Sequence, residues 1–176
     1  MFQIKQLQEN LSEIQFSKTL YEQSFPLEER RDFYDLIEIK KNNPLELNIL
    51  YKEDLPVGIL NLWDFKDYLY IEHLAIFPQY RNQKIASNIL NLLNKTSKLI
   101  VLEVELPIDE ISIRRIEFYR RNSFSVQPYK YYQPPYRKGE KSIEMHLMAN
   151  VQKSIAEIKY NEIIDTIRKK VYEKFW

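Results

Sequence analysis

Residues 77–90, FPQYRNQKIASNIL, run from an apolar segment through a polar turn into a helical pattern. Such a strand–loop–helix junction offers an anion the free N–H groups of a helix start and the favourable end of its dipole. Arg81 and Lys84 would add two cations, a combination suited to a pyrophosphate. Taken alone, the segment reads as an ordinary surface turn. Just upstream, YIEHLAI alternates so that Glu72 shares a face with Tyr70, Leu74 and Ile76. A carboxylate among such neighbours can have a raised pKa and accept a proton, directly or through water. In VLEVEL, Glu103 and Glu105 share a face with Val101, on a strand expected beside that of Glu72. Each of these glutamates reads equally well as a solvated strand carboxylate. His73 falls on the face opposite Glu72, where a packed, hydrogen-bonded histidine is expected. His146 lies far along the chain, so the two histidines form no metal motif in the absence of cysteine. No Ser-His-Asp arrangement is readable.

The flanking pattern shows what must position these side chains. Leu11, Ile14, Leu20 and Tyr21 recur at helical spacing before Pro26. LEERRDFYDLIEIKKNN reads as a second helix, with acids early and lysines late. Three strands follow with short connections, LELNILY, VGILNLWDF and YLYIEHLAIF, as in an antiparallel meander. Ile85, Ala86, Ile89, Leu90 and Leu93 form a helical stripe, and KLIVLEVEL is again a strand. Strand, helix, strand implies a parallel pair with a right-handed crossover. DEISIRRIEFYRRN is a helix with Asp109 as its N-cap. SFSVQ and KSIEMHLM are short strands around the Pro- and Tyr-rich PYKYYQPPYRKGE. Residues 153–174 read as an amphipathic helix with Tyr160, Ile164, Ile167 and Val171 in one stripe. The order predicts a mixed α/β fold.

A length of 176 residues fits one domain. The net charge of +1 gives no reason to expect nucleic acid or an anionic membrane as an obligatory partner. With no cysteine, a disulfide framework is excluded, in keeping with a cytoplasmic protein. The first residues lack the apolar core of a signal peptide, and no stretch approaches the ~20 apolar residues of a membrane span.

YLYIEHLAIFPQYRNQKIASNIL, followed by LEVEL and RRIEFYRRNSF, resembles the GCN5-related N-acetyltransferase (GNAT) family. That family's acyl-CoA loop, Arg/Gln-x-x-Gly-x-Gly/Ala, is matched by Arg81-Asn82-Gln83-Lys84-Ile85-Ala86 after Leu74-Ala75-Ile76-Phe77-Pro78. Its Phe-Tyr-x-x-x-Gly-Phe signature is matched by Phe118-Tyr119-Arg120-Arg121-Asn122-Ser123-Phe124. The element order agrees over roughly residues 1 to 148.

The resemblance implies a central mixed sheet of six to seven strands flanked by helices. Residues 1–150 would form the acetyltransferase domain, and residues 151–176 an extra C-terminal helix packed on it or on a partner. It implies acetyl-CoA as cosubstrate and direct transfer to a primary amine on a small molecule or peptide, by a monomer or homodimer. Leu74, Ala75 and Ile76 would lie along the pantetheine arm, with the Leu74 and Ile76 amides pairing with it and polarising the thioester. The loop Arg81, Asn82, Gln83, Lys84, Ile85 and Ala86 would hold the pyrophosphate. Ser112 stands where many members carry a pantetheine-bonding asparagine. Tyr119 would be the general acid, since a phenol near pKa ~10 keeps its proton at neutral pH. Glu72, then Glu103, then Glu105 are the candidate bases. Lys84 and Ser123 replace glycines. A helix-start conformation at Lys84 and a left-handed cap at Asn122 would absorb those changes. Acceptor specificity would lie in Glu28 and Glu29 of SFPLEERR and in Tyr131, Tyr132 and Tyr136. The rival is a non-catalytic acyl-CoA-binding or interaction module on the same fold.

Overall fold

The computed structural model describes residues 1–176. Eight strands and five α-helices fall into two compact units, Met1–Lys98 and Leu99–Trp176. The fold is mixed α/β.

In the first unit, β1 (Phe2–Gln6), β2 (Leu45–Lys52), β3 (Leu55–Phe65) and β4 (Tyr68–Ile76) pair antiparallel in sequence order. The expected meander is present, and β1 is an addition to it. β1 escapes a periodicity reading because its five residues form an edge strand with no turn signal before them. Helix α1 (Leu11–Ser24) is capped by Asn10, whose side chain accepts the Glu13 N–H at 3.0 Å. Its buried stripe is Ser17, Leu20 and Tyr21, and Leu11 is 87% exposed. The second helix does not run continuously from Leu27. A 3₁₀ turn, Leu27–Glu29, gives way to extended backbone, and α2 (Phe33–Lys40) starts afresh behind Asp32. The Asp32 carboxylate accepts the Tyr34 N–H at 2.8 Å and so wins these residues as a cap rather than as helix interior. Helix α3 (Ile85–Asn94) buries Ile85, Ile89, Leu90 and Leu93, as its spacing predicts.

In the second unit, β5 (Leu99–Glu105), β6 (Ser125–Val126) and β7 (Tyr131–Gln133) all pair antiparallel with β8 (Ile143–Ala149). β7 lies inside the Pro- and Tyr-rich segment that sequence alone leaves irregular. It forms because alternate residues Tyr131 and Gln133 bury against the unit while Tyr132 points out. Helix α4 (Glu110–Arg121) starts at the expected N-cap, Asp109. Helix α5 (Glu157–Ile167) starts later than residue 153 and continues as a π-helical turn, Arg168–Tyr172. Its buried face is Tyr160, Ile163, Ile167, Val171 and Tyr172, so Ile163 takes the place expected for Ile164. The C-terminal helix therefore packs on its own chain: the Tyr160 hydroxyl approaches the Tyr129 carbonyl at 3.4 Å, and the Tyr129 and Tyr160 rings sit 4.7 Å apart. No helix is long and apolar enough to cross a membrane.

Candidate functional site

At the end of β4 the Phe77 N–H donates to the Val57 carbonyl at 3.0 Å. With Ile76 opposite Gly58 and Ala75 opposite Ile59, antiparallel alternation aims the Ala75 polar groups at β3 as well. The N–H and C=O groups of Leu74 and Ile76 therefore face the other edge of β4. The Arg81 guanidinium confirms that direction, donating from Nε to the Ile76 carbonyl at 3.1 Å.

Two residues of the following loop hold left-handed backbone, Asn82 at φ 62° and Lys84 at φ 57°. The sequence reading places Lys84 in a helix-start conformation. Instead it adopts the conformation a glycine would take, at a cost of roughly 1–2 kcal/mol. This turn delivers the chain into α3. The first intrahelical bond there runs from the Asn88 N–H to the Lys84 carbonyl at 3.0 Å. The N–H groups of Ile85, Ala86 and Ser87 thus have no acceptor within the helix. Buried Ile85 anchors the helix start, while Arg81, Asn82, Gln83 and Lys84 are exposed. The Lys52 ammonium donates to Gln83 Oε1 at 2.9 Å and ties the loop to β2. Three outward N–H groups beside two cations fit a pyrophosphate.

Glu72 occupies a bulge. Leu62 opposes Ile71 and Asn61 opposes His73, which leaves Glu72 as the extra residue. The simple alternation that placed Glu72 with Leu74 and Ile76 does not run through this point. Its side chain has no solvent exposure. The Trp63 indole donates to Oε2 at 2.6 Å, and the Arg31 guanidinium, 4% exposed, lies 3.5 Å from Oε1. Next to it, His73 Nε2 is 3.0 Å from the Glu29 carbonyl, which can only accept, so that nitrogen carries the proton. Burial pushes the His73 pKa below the ordinary histidine value, with the Glu72 charge working the other way. The Tyr21 hydroxyl accepts the Arg31 N–H at 3.1 Å. Glu72, His73 and Tyr21 together fasten the segment between α1 and α2, where Glu28 is exposed and Glu29 half-buried.

In the second unit, Ser112 and Asp109 form a capping box. The Asp109 carboxylate accepts the Ser112 N–H at 2.7 Å, and Ser112 Oγ accepts the Asp109 N–H at 3.1 Å. The same hydroxyl lies 2.8 Å from Asp109 Oδ1, so the buried Ser112 side chain is engaged in starting α4. The hydrogen bonds from Ser112 hold the Asp109 carboxyl below its usual range.

The other end of α4 explains the Phe-Tyr-x-x-x-Gly-Phe pattern. The Phe124 N–H donates to the Tyr119 carbonyl at 3.0 Å, and the Ser123 N–H to the Arg120 carbonyl at 3.1 Å. This is the Schellman arrangement, and its accompanying apolar contact is the Tyr119–Phe124 ring pair, 5.8 Å between centroids. The left-handed residue it requires is Ser123, at φ 72°, and not Asn122, at φ −101°. Asn122 instead donates its amide to the Phe118 carbonyl at 2.7 Å. Tyr119 is half-buried, and its hydroxyl is pushed up to about 12 by burial and the Glu105 charge, against the pull of Arg115. Glu105 forms an ion pair with Arg115.

Glu103 is the hub of a cluster that sequence reasoning did not find. The Tyr131 hydroxyl donates to Oε1, Gln133 Nε2 to Oε2 at 2.5 Å, and the Tyr172 hydroxyl to Oε2 at 2.9 Å. Burial and the Glu103 charge push the Tyr131 hydroxyl well above its ordinary value. Tyr131 and Tyr136 are buried, and Tyr132 is exposed. Arg31, Trp63, Gln133 and Tyr172 carry no motif. Their polar ends meet carboxylates only through tertiary packing.

The model of the acetyltransferase (GNAT) family matches residues 10–124, a span that holds the loop, the Schellman turn and all three glutamates. The chain belongs to the GNAT family. A GNAT-family protein of Bacteroides thetaiotaomicron, described as a candidate acetyltransferase, has a solved structure that superposes with a TM-score of 0.88. It is 35% identical, with 98% of each chain covered. An aminoglycoside 6'-N-acetyltransferase solved with coenzyme A shares the fold at a TM-score of 0.60 and 16% identity, covering 87% of this chain and 99% of that one. The Bacillus subtilis (strain 168) protein YjbC, a candidate acetyltransferase by its name, is 28% identical over 103 residues. That match takes in 57% of this chain, which spans about half, 52%, of the length of that curated relative.

Proposed function

We propose that this GNAT protein transfers an acetyl group from acetyl-CoA directly to a primary amine. The observation that carries the reading is the left-handed turn at Asn82 and Lys84, which opens three N–H groups of α3 beside Arg81. Arg81, Asn82, Gln83, Lys84, Ile85 and Ala86 take the pyrophosphate. The Leu74 and Ile76 amides, aimed away from β3, pair with the pantetheine arm that passes Ala75 and polarise the carbonyl. Ser112 contributes by fixing the start of α4 and not by a side-chain contact to that arm. When bound, acetyl-CoA supplies an activated acyl carbon and a thiolate leaving group.

Tyr119 stays protonated at neutral pH and gives its proton to that thiolate as the C–S bond breaks. The amine nitrogen forms the new C–N bond, and its proton passes to a carboxylate. Among the three candidates, Glu103 suits this role best. It is half-buried and oriented by Tyr131, Gln133 and Tyr172, whereas Glu72 is fully enclosed and Glu105 is engaged by Arg115. Glu72 then serves to hold Arg31 and the acceptor-side segment in place.

Calorimetry with acetyl-CoA, with ATP as control, comes first, and micromolar binding selective for acetyl-CoA is expected. Thiol release is then followed with spermidine, phenethylamine, kanamycin and an alanine-initiated tripeptide. The chain has no cysteine, so every thiol titrated is released CoA. Acetyl-CoA binding with no amine-dependent thiol release from a wide amine set would favour the non-catalytic module instead.

A further inference from the structure

Tyr172 lies far beyond residues 10–124, the span of the family match, yet it touches a carboxylate inside that span. It reaches Glu103 through a change of helix pitch. After Ile167 the helix widens into the π-helical turn Arg168–Tyr172, and the consecutive residues Val171 and Tyr172 are both fully buried. π turns are rare and are found frequently at functional sites. The Tyr172 ring packs on Tyr136 at 5.0 Å, and its hydroxyl goes to Glu103 Oε2. The ring contact would serve a purely structural anchor. The hydroxyl adds something a phenylalanine would not: it fixes one oxygen of a half-buried carboxylate.

We propose that Tyr172 is a positioning residue for acetyl transfer, clamping Glu103 jointly with Tyr131 and Gln133 so that its carboxylate meets the acceptor amine. The proposal rests on the role given to Glu103 above. Phenol and amide donors orient a carboxylate and leave its charge in place, as a proton acceptor for an ammonium requires. Tyr131 from β7, Tyr160 from α5 and Tyr172 itself face Glu103. All three are phenols, which titrate far above the range in which a carboxylate does.

Tyr172→Phe keeps the ring and removes one donor to the anion. The test compares it with wild type in two ways. The Glu103 carboxyl is titrated by carbon-13 NMR, with Glu103→Gln identifying the signal. The pH profile of kcat/KM is recorded with the best amine of the four probes. The expected result is an upward move of about one pH unit in both the NMR titration and the acidic limb. At pH values below both midpoints the amine kcat/KM falls about tenfold, while the KM for acetyl-CoA and the melting temperature hold. If neither titration moves, Tyr172 is a packing residue and the proposal is overturned. If the NMR titration moves and the acidic limb does not, Glu103 is not the group that governs transfer, which also overturns it. Wild-type protein that binds acetyl-CoA but acetylates no amine sinks the transferase reading itself, and with it this role. The NMR comparison still separates that failure from an error about the Tyr172–Glu103 contact.

Discussion

Gly58→Ala should be among the most informative single-atom additions in the chain. A Cβ built on Gly58 would stand 2.5 Å from the Ala75 carbonyl oxygen, 2.6 Å from Ile76 Cδ1 and 3.2 Å from Leu50 Cδ1. The two methyl ends can rotate away. The carbonyl oxygen cannot, because Ala75 is paired with Ile59 in the β3–β4 ladder. β4 must therefore shift by a large fraction of an ångström. Overpacking of this kind costs about 1–3 kcal/mol, and the loss of unfolded-chain entropy on replacing glycine returns only about 0.4–1 kcal/mol. A net loss near 1.5 kcal/mol corresponds to a fall in melting temperature of about 3–6 °C for a chain of this size. The shift falls at Ile76, whose carbonyl holds Arg81 and whose N–H faces the edge of β4 proposed above for the coenzyme. Acetyl-CoA affinity by calorimetry should accordingly weaken several-fold at a temperature where the variant is folded. A variant melting at or above wild type would refute the packing argument. A destabilised variant with full affinity would refute the link from strand position to loop.

Tyr119→Phe should lower kcat about 10²-fold and leave the acetyl-CoA Kd within about twofold, by steady-state kinetics and calorimetry. Unchanged kcat removes Tyr119 from the chemistry. Glu72→Ala removes the carboxylate paired with a buried guanidinium, so a stability loss of about 3–5 kcal/mol is expected in urea unfolding. A loss below about 1 kcal/mol would mean that the Arg31–Glu72 pair does not form in solution. His73 is held neutral by burial, with a folded pKa below 6.5. Its contribution is present above pH 6.5 and lost as pH falls below that value, so the melting temperature should drop there, and His73→Gln should flatten the drop. Tyr119 and Tyr160 are both pushed up to about 12. Stability from keeping them protonated is intact below pH ~10 and lost as pH rises from ~10 to ~12. A melting temperature that stays flat across that window would contradict their burial.

Apolar patterning made the frame legible. The α3 stripe follows from helical spacing, and β2, β3 and β4 follow from three apolar runs joined by short connections. The Phe118-Tyr119…Phe124 pattern was legible because a helix cap is a local device, encoded in seven consecutive residues. What escaped is non-local or breaks a period. Nothing in YIEHLAI announces that Glu72 is an extra residue in the ladder, because the bulge is defined only against Asn61 and Leu62 on another strand. Asp32 reads as one acid among several until the chain bends there and makes it a cap. The donors to Glu103 come from positions 131, 133 and 172, whose spacing carries no period. Tyr131 looks like a loop aromatic until β7 turns it inward.

Lys84 and Ser123 have a consequence for how such chains are found. This chain has two glycines in all, and neither stands at the glycine positions of the two GNAT motifs. Yet both positions hold the left-handed backbone that those glycines would supply, and Asn82 is a second such residue in the loop that holds Lys84. The motif survives as a set of dihedral angles after its letters have changed. A search phrased in residue identities loses signal at these two sites, although the rest of the span from 10 to 124 still carries the match. A search phrased in φ and ψ, one left-handed residue before α3 and one after α4, would keep that signal. The same view sets a direction for engineering: glycine can be restored at 84 or 123 to release backbone strain without altering the path of the chain.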